Sequence, residues 1–146
     1  MIYKIVKTIL LSVVCISVFE IHAQQSQSSP IVLSELRADL GIMQGEEQLN
    51  KLFLFAEFKT SQIASMNALD IKLALKDTSI VRTYHFTILK VQGEYVIRDD
   101  KGTESVISDG KIRLRILLDM PRNMIKAAYF TGSSVVGVSN TLVRQF

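Results

Sequence analysis

His85, an acidic run over two neighbouring turns, a basic stripe and an apolar C-terminal stretch are the places where this chain could carry chemistry. A histidine acting as general base needs a nucleophile within hydrogen-bond reach and a third group that orients it. His85 falls in the run Ile80 to Lys90, on the face of Val81, Thr83, Thr87 and Leu89, opposite Tyr84, Phe86 and Ile88. No local pattern ties a serine or an aspartate to it, so a surface or structural histidine is the expectation and no catalytic residue is assigned. Asp99, Asp100, Glu104 and Asp109 supply oxygens that could suit calcium. Lys101 and Gly102 break the every-second-residue ligand spacing of an EF-hand loop, and aspartates belong in turns for their own hydrogen bonds. Solvated turn residues are therefore expected, with no metal and no cofactor.

Lys111, Arg113 and Arg115 alternate with Ile112, Leu114 and Ile116. On a strand that places three cations about 7 Å apart on one face. Such a stripe could hold an acidic glycan or a lipid headgroup, with Arg98 and Lys101 extending it. It is also what the polar outer face of a half-buried strand looks like, where charge discourages edge-to-edge aggregation. Nucleic acid is not expected. The chain has no tryptophan, few tyrosines for bases to stack on and only a small net charge. The stretch from Val135 to Val143 is apolar, β-prone and almost uncharged. At a sheet edge, Val136, Val138 and Leu142 would form a site for a partner strand.

These groups must be positioned by a domain whose address is written upstream. Lys4 and Lys7 precede an apolar run from Ile9 to Phe19, and a polar stretch with Glu20 and His22 ends at Ala23 and Gln24. That order is a secretory signal peptide over residues 1–23. The apolar run is about a dozen residues, short of the roughly 20 that a spanning helix needs, so no transmembrane span is expected after cleavage. Cys15, the one cysteine, lies inside that run, and Val13 and Val14 before it lack the small residue a lipidated cysteine wants. A mature chain without cysteine cannot be a zinc finger, a thioredoxin-like protein or a cysteine-nucleophile enzyme. Loss of Lys4, Lys7 and Glu20 takes 17 basic and 14 acidic residues to 15 and 13, a mildly basic surface.

Residues 24–30 form a polar tether, and residues 31–146 read as one domain, long enough for a single hydrophobic core without disulfides. Ile31 to Leu36 suits a first strand, while Ser34 to Leu40 also suits a helical turn stopped by Gly41. Leu52 to Thr60 reads as an aromatic-rich strand, greasy on both faces, entered by one helical turn after Glu46 and Glu47. From Ala68 onward the period is two. Leu69, Ile71, Leu73 and Leu75 give one inward row. Tyr84, Phe86 and Ile88 give a second, and Ile112, Leu114, Ile116 and Leu118 a third. Turns are expected at Asp77 to Ser79, Val91 to Gly93, Asp99 to Gly102 and Asp109-Gly110, the last a strong two-residue hairpin signal. Met124 to Thr131 and Val135 to Val143 follow, divided by Gly132 to Ser134.

About eight strands with turns every 8–12 residues predict an all-β fold, an antiparallel β-sandwich of immunoglobulin-like or related topology. The expected function is that of an exported, non-enzymatic interaction module of the cell envelope or secreted space. Its partner would be another envelope or secreted protein, or, in the second reading, an acidic glycan or lipid headgroup. A small outer-membrane barrel ending at Phe146 and an unrecognised enzyme stand behind these.

Overall fold

The alternation of apolar and polar residues from Ala68 onward becomes strand after strand. The computed structural model describes residues 31–43 and 51–146. The expected signal peptide over 1–23, the expected polar tether over 24–30 and the expected helical entry at Glu46 and Glu47 lie outside these residues. Nine antiparallel strands are present: β1 Ser34–Ile42, β2 Leu52–Lys59, β3 Ala68–Leu75, β4 Val81–Val91, β5 Glu94–Arg98, β6 Glu104–Ile107, β7 Lys111–Leu118, β8 Ile125–Ser134 and β9 Gly137–Gln145. They form a smaller sheet in the order β1-β2-β7 and a larger one in the order β6-β5-β4-β3-β8-β9, packed as a sandwich.

The core is made of the rows that the alternation marks. Leu69, Ile71 and Leu73 on β3, Phe86 and Ile88 on β4, and Ile112, Leu114, Ile116 and Leu118 on β7 are all buried. Leu75 is buried with them, and Tyr84 packs partly buried against the same cluster. Phe58 and Phe130, one from each sheet and both fully buried, meet with ring centroids 5.7 Å apart. Each such fully buried side chain contributes about 1.5–3 kcal/mol, which is how the sandwich stands without disulfides.

Turn chemistry sets the connections. Gln92 and Gly93, and then Asp109 and Gly110, all have positive φ, the requirement of a two-residue type I′ turn. The second turn does something the first does not. β6 belongs to the larger sheet and β7 to the smaller, so Asp109-Gly110 carries the chain from one layer to the other. Only Ser108 and Lys111 bridge across it. The Thr60 amide donates to the Gly110 carbonyl at 2.9 Å, pinning the corner to the end of β2.

The first strand differs from both readings of the sequence. No helical turn forms at Ser34 to Leu40, and the strand begins at Ser34 and continues to Ile42. The reason is a β-bulge between Ser34 and Arg37, where Glu35 sits at φ 54° and two residues of β1 face one of β2. Before the bulge the odd residues Ile31 and Leu33 point inward. After it the even residues Ala38 and Leu40 do. A parity switch of this kind reads as helix-like spacing in the sequence. β2 is central in its sheet, as its aromatic density suggests, but only its inner face joins the core. Phe53 on the outer face is buried under its neighbours, with the Arg115 guanidinium 5.8 Å from its ring centroid and Phe55 at 6.0 Å.

Candidate functional site

The basic stripe takes its place on the outer face of the smaller sheet, but it is not a row of free cations. In register across β1, β2 and β7, Arg37 faces Glu57 and Glu57 faces Arg113. Glu57 binds both of its β7 neighbours, Arg113 Nε at 2.8 Å and Lys111 Nζ at 3.3 Å. Hydrogen bonding from the Arg113 guanidinium holds the Glu57 carboxyl below the usual carboxylate range. Lys59 is likewise taken up by Glu35, at 2.7 Å. Arg115 lies over Phe53. Arg98 does not extend the stripe: it stands on β5 in the other sheet, with its Nε 2.8 Å from Glu104.

One row along, Asp39 faces Phe55 and Phe55 faces Arg115. Together with Arg37, Glu57 and Arg113, Asp39 and Phe55 line a surface depression of about 620 Å³. Arg144 of β9 joins them from the other sheet. Arg37, Phe55 and Arg144 escape a reading of the stripe alone. Phe55 falls on the outer face by simple alternation, and Arg37 does so because the bulge after Ser34 switches the parity of β1. Arg144 is brought there by the approach of β9 to β1, which no local pattern encodes.

The apolar C-terminal stretch also folds differently from its sequence reading. β8 runs through Ser134, and the turn falls on Val135 and Val136, so Val136 lies in a hairpin loop and not in a strand. The larger β-branched residues therefore sit at the tip. Val135 is 90% exposed, Val136 71% and Val138, the second residue of β9, 70%. Leu142 turns inward and packs against the core, so it is no part of an exposed edge. Phe146 also packs partly buried against the core.

A second bulge separates these two behaviours. Ser133 pairs with Val138 and Thr131 with Thr141, so Gly132 alone faces both Ser139 and Asn140. The buried Ser139 hydroxyl accepts from the Gly132 amide at 2.8 Å and donates to the Asn140 carbonyl at 2.6 Å. The bulge re-aims Asn140 at the segment before β1. Its side-chain oxygen accepts from the Leu33 amide at 2.7 Å, and its amide nitrogen donates to the Leu33 carbonyl at 2.9 Å. One side chain thus does for Leu33 what a neighbouring strand would do. The polar pair Ser139-Asn140 interrupting an apolar alternation is the signal that marks this bulge in the sequence.

Beyond the clamp, β9 is the last strand of its sheet. The Phe146 amide donates to the Lys126 carbonyl at 3.0 Å, so alternation turns the backbone groups of Leu142 and Arg144 toward β8. Those of Thr141, Val143 and Gln145 face away from β8, where no described strand pairs with them.

His85 stands on the outer face of the larger sheet, its side chain 61% exposed, with Nδ1 2.6 Å from the cross-strand Asp70. The acidic turn is organised around its own backbone. Asp99 Oδ1 accepts from the amides of Lys101 and Thr103, at 3.0 and 2.7 Å. Among the described residues no three histidine, cysteine, aspartate or glutamate side chains stand together in an arrangement that could hold a metal ion. No described helix is long and apolar enough to cross a membrane. No family model, curated protein or solved structure matches this chain.

Proposed function

We propose that the protein is an exported interaction module that binds another envelope or secreted protein through the β8–β9 hairpin. The observation that carries this reading is the exposure of Val135, Val136 and Val138 together at the tip of a hairpin on a sheet edge. Scattered surface hydrophobes are ordinary, but three adjacent β-branched side chains in water at a projecting turn are a concentrated apolar surface. Covering each fully is worth about 1.5–3 kcal/mol, and a partner strand along Thr141 to Gln145 would add main-chain hydrogen bonds. The export signal supplies the compartment. The open setting of His85, away from any described cleft, gives catalysis no support. A lipid-exposed barrel has none either, because Leu142 and Phe146 pack against the core and the outer face of the smaller sheet is charged.

A photo-crosslinking residue placed at Val136 or Val138 in intact producing cells tests the reading, with the same residue at Thr83 on the opposite part of the larger sheet as reference. A discrete protein adduct from the hairpin positions alone, lost in a folded Val138→Lys variant, is the expected result. Adducts that form equally from Thr83, or none from the hairpin, refute it.

A further inference from the structure

The depression on the smaller sheet is independent of the hairpin and has a composition of its own. Three guanidiniums, Arg37, Arg113 and Arg144, share it with two carboxylates, Asp39 and Glu57, and with one aromatic ring, Phe55. Among the described residues, Arg37 and Arg144 have no carboxylate within 4.0 Å. Arg113 is already committed to Glu57. The volume, about 620 Å³, lies in the range of small-ligand sites.

Each part of this lining restricts what fits. Two uncommitted guanidiniums present planar forks that match a carboxylate in bidentate fashion. A phosphate or sulfate dianion would satisfy them but would also face Asp39 and Glu57. A nucleic acid or an anionic membrane would meet the same two carboxylates across a nearly balanced lining. A ligand carrying one carboxylate and several hydroxyls reduces that conflict, because it brings a single charge and can donate hydrogen bonds to the two acids. Its hydroxyls donate, and ionised carboxylates are acceptors with about four lone-pair sites each, so Glu57 retains capacity beyond the bonds from Arg113 and Lys111. Phe55 offers an apolar ring on which the C–H face of a sugar can rest.

We infer that this depression binds a uronic-acid residue of an acidic polysaccharide, with the sugar carboxylate on Arg37 and Arg144, the hydroxyls on Asp39 and Glu57, and the ring over Phe55. The ligand is therefore recognised by the mixed site at the β1–β9 approach and not by the Lys111, Arg113 and Arg115 stripe as such.

The test is isothermal titration of the domain with a galacturonate hexamer, against a neutral glucose hexamer, dextran sulfate and phosphatidylglycerol vesicles, at low and physiological salt. The galacturonate hexamer is expected to bind at least about tenfold tighter than the neutral one. Replacing Arg37 and Arg144 together by alanine is expected to weaken it by about tenfold or more. Arg82→Ala, a remote exposed cation on β4, should leave it within about twofold. Thermal melting establishes that the double variant is folded. Arg37→Lys keeps the charge but loses the fork, and should weaken binding several-fold without any effect on melting. Glu57→Gln separates specific from diffuse binding: it should weaken the galacturonate hexamer while strengthening dextran sulfate. Wild-type affinity in the double variant, equal binding of the neutral hexamer, or dextran sulfate and vesicle binding that tracks galacturonate across every variant overturns the inference.

Discussion

Replacing Asn140 by alanine removes the two hydrogen bonds that fasten Leu33, and the size of the effect follows from what is left behind. Leu33 is 2% exposed and Ile31 5%, so the segment before β1 is part of the core although it belongs to no strand. Each lost bond costs about 0.5–1.5 kcal/mol net, and a buried backbone group left without a partner costs more. Asn140 itself is exposed, so water replaces part of the loss. The expected destabilisation is about 1–2 kcal/mol, or a fall in Tm of roughly 4–10 °C for a domain of this size. If the segment detaches altogether, the burial of Ile31 and Leu33 goes too, adding about 1.5–3 kcal/mol for each. Urea titration of Asn140→Ala, Leu33→Ala and the double variant reads this directly. Leu33→Ala alone should cost about 2–4 kcal/mol. The double variant should fall short of the sum, because the clamp acts through Leu33. Hydrogen exchange adds a local readout: the Leu33 amide should be protected in the wild type and exchange with the solvent-exposed turns in Asn140→Ala. Strict additivity together with unchanged Leu33 protection would refute the clamp.

Other substitutions separate the roles further. Gly110→Ala should destabilise by about 1–3 kcal/mol, since the residue has φ 66° and a Cβ would lie 2.3 Å from the Thr60 carbonyl oxygen. Gly93→Ala, also at positive φ but with open space around it, should cost about 1 kcal/mol or less by the same denaturation assay. Glu57 has its pKa lowered by Arg113, so its ion pairs stabilise the fold fully above the ordinary carboxylate range and cease to do so as pH falls through the lowered value. Stability curves from pH 7 to 2 should lose that part of their acid slope in Glu57→Gln. Val138→Lys should melt within about 2 °C of the wild type, whereas Leu142→Lys should unfold the edge of the sandwich, because only the second places an ammonium against the core.

The inward rows of β3, β4 and β7 were legible because their alternation is unbroken and each strand is long enough to repeat it. The turns at Gln92-Gly93 and Asp109-Gly110 were legible because positive φ has a residue signature. What escaped is what breaks alternation. The bulge at Glu35 exchanges the inward parity between Leu33 and Ala38, and the bulge at Ser139-Asn140 does so between Ser139 and Leu142. In each case a one-residue slip changes which face a side chain joins. The hairpin turn was misplaced for a related reason: Gly132 to Ser134 has the composition of a turn, but β8 continues through it to Ser134. At Gly132 a Cβ would come within 2.6 Å of the flexible end of Met66, so this glycine sits at a packed strand position and not in a turn. The basic stripe was visible as residues, but its pairing with Glu57 depends on a partner 56 positions away. The depression depends on Arg144 meeting Arg37, and contacts between sheets have no local pattern from which to be read.

The Asn140–Leu33 clamp joins positions 107 apart, near the two ends of the domain. During synthesis the first of these residues leaves the ribosome long before the second exists. A chain folding as it emerges can form the β3–β6 meander as soon as those strands are free, but the segment before β1 cannot be fastened until Asn140 follows. The order of emergence thus places closure of the sandwich after assembly of the meander. A chain cut short before Asn140 would keep most of its strands and lack the hydrogen bonds that fasten its beginning to β9.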